Sequence, residues 1–370
     1  MIEEPARFTE LLETLRQELL VAVDTEAASF HRHRDRVYLL QLSSRTETWL
    51  VDPLAVPGLA GFGDLLADPA IEFIFHDADY DLRLLGHEFG FRATRLFDTR
   101  IAAQFLNEPG LGLAALLERH LGVKLDKQFQ RADWSLRPLT PAMLHYAATD
   151  TRHLPALRDL LHDGLRMHNR MSWVEEECDL LTRVRWPEPE TPEVQALTVK
   201  GARTLTPRAL AVFRELYGWR TRLAEALDRA AFRIVGNEAL FALAQQPPKE
   251  LAALARFRGV GRELVKRRGE EILAALNRGL ALPEAELPRY PRAPRHRPDA
   301  TLEVRLERLK TTRSALAEEY QLAPGVLAPN WLLEGIARAN PRTGDELTRV
   351  EGLRRWQIHE FGDRLLADMN

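Results

Sequence analysis

The sequence has almost no cysteine and no long apolar run. Cys178 is the single cysteine among 370 residues, which excludes an intramolecular disulfide and a metal site built from several thiolates. No apolar stretch is long enough to cross a bilayer. The N-terminal segment MIEEPARFTE lacks the basic and apolar regions of a signal peptide. We therefore expect a cytoplasmic protein that does not bind membranes.

The net charge of −3 hides an uneven distribution along the chain. Residues 1–170 contain 19 Lys and Arg against 25 Asp and Glu, whereas residues 205–285 contain 14 against 9. The acidic half could hold cations and the basic half could hold a polyanion. A random scatter of surface charge explains the same counts, so charge alone does not decide the function.

Apolar runs and turn residues predict an α/β first half. Strands are expected at 19–26, 37–42, 48–52, 71–76 and near 97–98, with helices at 59–68, 80–89, 99–106 and 111–121. Thr140 and Pro141 suit the N-cap and the first position of a further helix. The close spacing of the first three strands, followed by alternating helix and strand, favours a mixed sheet flanked by helices.

The second half repeats one helical pattern. Two Pro-rich stretches, 186–192 and 287–298, interrupt it and are typical of linkers. A shift of 93 residues places Arg220 on Arg313, Asn237 on Asn330 and Gly259 on Gly352 without a gap, together with several leucines. The sequence therefore predicts two copies of one small all-α domain.

Four acids and one tyrosine stand where rigid elements could hold them. Asp24 and Glu26 are two apart on a strand and share a face. Asp81 begins a helix just after the fourth strand, and Tyr146 and Asp150 are four apart on one helix. Carboxylates supply the hard oxygen ligands that Mg²⁺ and Mn²⁺ prefer, and two such ions can hydrolyse phosphodiesters.

Each of these residues also has an ordinary interpretation. An isolated Asp-x-Glu pair is more often a surface or capping feature, and an acid at the start of a helix is often a cap. Asp77 and Asp79 are also aspartates in the same segment, so either could take the role assigned to Asp81. Asp150 could be a solvated acid, and Tyr146 a packed core residue. Their joint occurrence, each at the end of an apolar segment, favours a site.

These segments resemble a known family. VAVDTE, HDADYDLRLL and YAATDTRHL are similar to the three exonuclease motifs of the DEDD superfamily, in its tyrosine-containing branch. DTRIAAQFL, GLAALLERHLGVKLDK and ADWSLRPLTPAMLHYAATD resemble the corresponding parts of the ribonuclease D family, and the helical repeat resembles the HRDC domain. The resemblance implies an α/β ribonuclease H-like exonuclease domain followed by two all-α HRDC-like domains. The domains would span 1–170, 206–285 and 300–370, with linkers at 171–205 and 286–299.

The resemblance also implies a role for each acidic residue. Asp24 would bridge two divalent cations, Mg²⁺ or Mn²⁺, and Glu26 and Asp150 would complete the site of the ion that activates water. Asp81 would hold the other ion, and the Tyr146 hydroxyl would orient the attacking water. Two positions depart from the family. Ala27 replaces a common aromatic residue beside the terminal base, and Asp77 replaces a small residue after His76.

Contacts to substrate are predicted from basic and aromatic residues. Lys127 and Arg131 could hold phosphates, and Trp134 could stack on a base, although a structural tryptophan explains the pattern slightly better. Arg262 and Lys266 belong to a basic cluster around the Gly-Val-Gly turn of the first helical copy and could bind phosphates without reading sequence. The second copy is nearly neutral and could instead pack against the rest of the protein.

These features together predict a metal-dependent 3′→5′ exoribonuclease. It would trim the 3′ ends of structured RNAs such as tRNA precursors, release nucleoside 5′-monophosphates and act as a monomer. A 3′→5′ DNA exonuclease of the proofreading or helicase-associated kind remains open, because the motifs do not distinguish the sugars. A nucleic-acid-binding protein with a vestigial site is the alternative from another class.

Overall fold

The first part of the chain is built on a five-stranded mixed sheet. The computed structural model describes residues 1–126, 128–290 and 299–369. The sheet has the order β3-β2-β1-β4-β5. Its strands are β1 (Leu20–Glu26), β2 (Leu39–Ser43), β3 (Thr48–Val51), β4 (Glu72–Phe75) and β5 (Leu96–Asp98). β1 is antiparallel to β2 and parallel to β4, so the predicted mixed α/β sheet is confirmed.

Eight helices cover this sheet. They are α1 (Pro5–Leu15), α2 (Phe62–Leu66), α3 (Asp79–Phe89), α4 (Thr99–Phe105), α5 (Leu113–Leu121), α6 (Pro141–Arg152), α7 (Leu154–Met167) and α8 (Met171–Leu181), with a 3-10 turn at Pro57–Leu59. The predicted cap of α6 is confirmed, because the Thr140 side chain accepts a hydrogen bond from the Met143 amide. The predicted continuous helix at 59–68 is wrong. Gly61 adopts a left-handed φ of +86° and separates the 3-10 turn from α2.

The second part is helical. Its helices are α9 (Pro192–Thr198), α10 (Pro207–Ala226), α11 (Asn237–Gln245), α12 (Leu251–Leu254), α13 (Arg262–Ala281), α14 (Ala300–Glu319), α15 (Pro324–Leu327), α16 (Asn330–Ala339), α17 (Gly344–Leu347) and α18 (Arg355–Ala367), with 3-10 turns at Ala202–Thr204, Ala231–Arg233 and Glu284–Glu286. No described helix is long and apolar enough to span a bilayer.

The sequence repeat is also a repeat of side-chain interactions. Arg220 donates to the Asn237 side-chain oxygen at 2.7 Å, and Arg313 donates to that of Asn330 at 2.8 Å. Each arginine also donates to a backbone carbonyl two residues before its asparagine. Within each copy the arginine therefore ties the long first helix to the start of the helix that the asparagine begins.

The two helical copies differ in what they pack against. The first has a hydrophobic core of its own, whereas the second shares one core with the sheet domain. Trp173 of α8 stacks on Trp356 of α18 with ring centroids 4.5 Å apart, and Arg354 pairs with Glu177 at 2.8 Å. The prediction that the second copy packs against the rest of the protein is confirmed.

Helix α8 (Met171–Leu181) lies within the predicted linker 171–205. Its residues Trp173 and Cys178 are buried in the core that the sheet domain shares with the second copy. The proposed domain boundaries stay predictions. The predicted linker at 286–299 lies mostly outside the described residues.

Candidate active site

Three of the predicted carboxylates converge between β1 and α6. Asp24 and Glu26 stand on the same face of β1, and Asp150 projects from α6, which packs over β1, β2 and β3. Carboxylate oxygens of these three residues all lie within 4.8 Å of one another. An all-oxygen donor set of this kind suits a hard divalent cation such as Mg²⁺ or Mn²⁺.

The electrostatics of the cluster also favour a bound cation. Burial, and then the charge of the nearby Asp150, raises the pKa of Asp24 to about 7. Burial likewise raises the pKa of Asp150 to about 7, and that of Glu26 rises well above its ordinary value through burial and then through the charge of Asp24. Three half-buried acids held this close together favour either protons or a positive ion between them.

Asp81 lies beside this group without joining it. Its side chain is buried in the first turn of α3 and accepts a hydrogen bond from the Thr25 hydroxyl. Burial, and then the charge of Asp24, raises its pKa well above the ordinary value. Asp81 is therefore close enough to sense Asp24 but is outside the set of three that could share one ion.

The rival acids near Asp81 are engaged by arginines. Arg83 pairs with Asp79 at 2.7 Å, one turn along α3. Asp77 is exposed, lies 3.6 Å from Arg100, and adopts a left-handed φ of +67°. Asp77 nevertheless lines the same cavity as Asp24. The extra acid noted in the sequence therefore reaches the site but has a basic partner.

Tyr146 occupies the predicted position beside Asp150. It lies one turn before Asp150 on α6, and its hydroxyl partly offsets the rise that burial causes in the Asp150 pKa. Its ring contacts Phe129 edge-on, with centroids 5.9 Å apart, and Trp134 at 6.1 Å. Burial and the neighbouring carboxylates raise the Tyr146 pKa, so its hydroxyl keeps its proton at neutral pH.

Asp24, Glu26, Tyr146 and Asp150 line a cavity of about 620 Å³, a size within the usual range for small-molecule sites. Its wall also contains His76, Arg100 and Gln130. Gln130 belongs to the loop of predicted substrate contacts that includes Arg131. The sequence gave His76 and Arg100 no role, although both lie in segments that carry the family resemblance, because they meet the acids only through the fold. Burial, with the nearby Arg100, lowers the pKa of His76 to about 4, so this imidazole is neutral at physiological pH.

The structure places the five residues predicted to contact substrate in different surroundings. Lys127 lies outside the described residues. Arg131 is exposed and directly follows Gln130, which lines the cavity. Trp134 is only 1% exposed, so its ring is not available to stack on a base. The substrate-binding prediction for Trp134 is therefore corrected, and its packing against Tyr146 favours the structural interpretation. Arg262 and Lys266 are exposed on α13, and the structure does not bring them to the cavity.

Comparisons with known proteins agree with this architecture. A family model described as 3′-5′ exonuclease matches residues 1–166, and the HRDC domain model matches residues 209–276 and 303–367. Ribonuclease D of Gluconacetobacter diazotrophicus is 33% identical over 365 residues, which cover 97% of this chain and 90% of that protein.

Two solved structures are similar as well. The crystal structure of Escherichia coli RNase D, described as an exoribonuclease involved in structured RNA processing, has 25% identity and a TM-score of 0.71. It matches 100% of this chain and 98% of its own. The catalytic core of RRP6 from Trypanosoma brucei has 28% identity and a TM-score of 0.70, over 76% of this chain and 80% of that one. On the strength of the full-length relative, the sheet topology and the paired helical repeats, this chain belongs to the ribonuclease D family.

Proposed function

We propose that this 3′→5′ exoribonuclease uses two divalent cations to trim the 3′ ends of structured RNAs such as tRNA precursors, releasing nucleoside 5′-monophosphates. The observation that carries the proposal is the meeting of Asp24, Glu26 and Asp150 within 4.8 Å, in the wall of a cavity that also contains Tyr146. Membership in the ribonuclease D family supports RNA as the substrate class.

The acids would divide between two metal positions. Asp24, Glu26 and Asp150 would hold one ion, and Asp24 with Asp81 would hold the other. Asp24 is suited to the shared position, because its charge raises the pKa of both Glu26 and Asp81. Ions bound there would lower the pKa of an attacking water and offset the charge that develops on the phosphate. The Thr25 hydroxyl would hold one oxygen of Asp81 in place.

The remaining residues would orient the substrate and the water. The protonated Tyr146 hydroxyl would position the water, while Phe129 and Trp134 fix the direction of its ring. Arg100 lines the acidic cavity, and Arg131 is exposed directly after the cavity residue Gln130. Both would hold phosphates of the bound strand. Such contacts are to the backbone, so they position any sequence equally.

The test is a labelled-end nuclease assay. RNA labelled at the 3′ or the 5′ end is incubated with Mg²⁺ or Mn²⁺, and early release of 3′ mononucleotides is the expected result. Asp24→Asn should abolish release, because it removes a shared ligand at constant size. Asp79→Asn is the matched control, since Asp79 pairs with Arg83 outside the group of three. Full activity of Asp24→Asn would contradict the proposed site.

The same assay separates the alternatives. Matched DNA that is degraded as fast as RNA would favour the DNA exonuclease. RNA binding without metal-dependent release would favour a binding protein with a vestigial site. We further propose that the enzyme acts as a monomer in the cytoplasm. Light scattering coupled to gel filtration tests the oligomeric state, and cell fractionation tests the location.

A further inference from the structure

The loop that follows Glu26 contacts the first helical domain. Residues 27–38 connect β1 to β2, and their tip meets residues 228–233. The Ala230 amide donates to the His31 carbonyl at 3.0 Å, and the Asp228 carboxylate accepts the amide of His33 at 3.2 Å. Arg233 donates to the Phe30 carbonyl. A domain with its own separate core is thereby brought beside the segment that carries the first two acids.

Two aromatic rings meet at this contact and stay exposed. Phe30 and Phe232 pack edge to face, with centroids 6.3 Å apart and an interplanar angle of 77°. Phe30 is 44% exposed and Phe232 is 55% exposed. The Arg131 guanidinium lies over the Phe30 ring, 5.2 Å from its centroid. The two domains thus present a small exposed cluster of two phenylalanines and one arginine, which we call the bridge cluster.

The surroundings of the bridge cluster are basic. The loop carries Arg32, Arg34 and Arg36 against one acid, Asp35, and Arg36 pairs with Glu88 at 2.9 Å. Arg34 and Arg229 are exposed and form no ion pair among the described residues. Asp228 is a second acid here, and its carboxylate accepts the amides of His33 and Arg34, so the arginines still outnumber the acids. A polyanion with flat apolar groups is the complementary partner.

The bridge cluster adjoins the cavity wall through the chain at residues 130 and 131. Gln130, which lines the cavity, directly precedes Arg131, and the Arg131 carbonyl lies 3.0 Å from Nε2 of His31. On the other side, the Ser29 hydroxyl lies 2.9 Å from that of Tyr80, next to Asp81. A strand whose 3′ end occupies the cavity would leave past these residues.

We propose that Phe30, Phe232 and Arg131 form a platform on which single-stranded RNA stacks just upstream of the nucleotide being removed. This inference rests on the proposed function and adds a subsite shared between the exonuclease and first helical domains. Aromatic and guanidinium faces stack on every base, so the platform would hold a strand as successive nucleotides pass it. Contact with both domains would also make the helical domain a direct participant in substrate binding.

Substrate length provides the test. Phe30→Ala and Phe232→Ala should each raise the KM for a single-stranded oligoribonucleotide about tenfold, a loss typical of one stacked base. The KM for a dinucleotide should not change, because it ends before the platform. Trp331→Ala is the matched control, since Trp331 is 57% exposed on the second helical copy and should tolerate the change without effect on either substrate.

Leucine variants distinguish stacking from simple packing. Phe30→Leu and Phe232→Leu keep an apolar side chain at the domain contact but lose the aromatic face, so they should bind the oligonucleotide as weakly as the alanine variants. Wild-type affinity in the leucine variants would overturn the platform and show a packing contact instead. An unchanged KM in both alanine variants would also overturn it.

A binding assay separates this proposal from the catalytic one. Fluorescence anisotropy of labelled RNA in EDTA measures affinity without turnover. A wild-type protein that cleaves no RNA would contradict the proposed function, and a tenfold weaker affinity of Phe30→Ala in EDTA would still support the platform. Equal affinity of the two proteins in EDTA, with normal cleavage by both, would contradict the platform alone.

Discussion

Gln41 lies directly opposite Asp24 in the antiparallel ladder of β1 and β2. Opposed side chains share a face, with Cβ atoms about 5 Å apart, so Gln41 lies on the face of the sheet that carries Asp24. Gln41 is fully buried, and neither of its side-chain amide atoms has a hydrogen-bond partner among the described residues. Leaving such a group unpaired costs about 1–3 kcal/mol. A cost of this size next to the candidate site favours a role for the Gln41 amide: it would hold the Asp24 carboxylate once a cation is bound.

Gln41→Met should therefore raise the stability of the metal-free protein and reduce its stabilisation by metal. The variant removes the buried amide at similar volume, so the metal-free protein should melt at a higher temperature. The additional stabilisation by Mn²⁺ should shrink, because Asp24 loses a neighbouring donor. Thermal melts in EDTA and in Mn²⁺ measure both effects. Gln128→Met, at an exposed loop position, is the control. An Mn²⁺ response equal to that of the wild type would show that the amide does not support Asp24.

The crowded acids should make the metal-free protein less stable as pH rises. The pKa of Asp24 is about 7 in the fold against an ordinary 3.8, so folding favours its neutral form. The contribution of Asp24 to the free energy of unfolding is fully present below pH 3.8. It decreases by about 1.4 kcal/mol per pH unit as pH rises, and it is lost above about pH 7. Asp24→Asn stays neutral throughout. Without metal it should melt above the wild type at pH 8, and the difference should narrow towards pH 4. Equal melting temperatures at pH 8 would contradict the effect.

The hydrogen bond from Thr25 to Asp81 should matter for metal binding. Thr25→Val removes the hydroxyl at nearly constant shape and leaves Asp81 without the donor that fixes one of its oxygens. We expect the Mg²⁺ concentration for half-maximal activity to rise severalfold, with a stability loss of about 1 kcal/mol. A Mg²⁺ titration of RNA cleavage, paired with a thermal melt, measures both. If half-saturation stays at the wild-type concentration, Asp81 does not hold a metal through this orientation.

Tyr146→Phe should reduce catalysis far more than metal binding. The ring keeps its contacts with Phe129 and Trp134, and only the hydroxyl beside Asp150 is lost. We expect kcat to fall about 100-fold, within the usual range for one positioned catalytic group, with KM unchanged and most of the Mn²⁺ thermal shift retained. Steady-state kinetics and melts test this. A loss confined to KM would instead assign Tyr146 to substrate binding.

Local patterns predicted the pieces of the site better than its assembly. Strand alternation places Asp24 and Glu26 on one face of β1, and helical spacing places Tyr146 and Asp150 on one face of α6. Both relationships follow from the sequence. The meeting of β1 with α6 depends on packing between distant segments, and only the family resemblance indicated it. Trp134 was uncertain for the same reason, because a tryptophan in a loop carries no local signal of burial.

The bridge cluster shows more clearly which contacts the sequence does not predict. Phe30 and Phe232 are about 200 residues apart, and neither lies in a motif. Their contact depends on where the first helical domain docks, which no periodicity encodes. The repeat itself was predictable, because Arg220 and Arg313 make equivalent bonds within each copy. Interactions inside a repeated unit leave a pattern in the sequence, whereas contacts between units do not.

The shared core predicts different unfolding behaviour for the two helical copies. Trp356 stacks on Trp173 and donates to Glu177 at 3.2 Å, so Trp356→Ala should remove packing that the exonuclease domain also uses. A loss of about 3–5 kcal/mol is typical of such a truncation, and the sheet domain should melt earlier with it. Leu240→Ala, in the separate core of the first copy, should destabilise that copy while the sheet domain melts as in the wild type. Calorimetry, with dinucleotide cleavage as the reporter for the sheet domain, distinguishes them. Loss of cleavage at the same temperature in both variants would show that all three units unfold together.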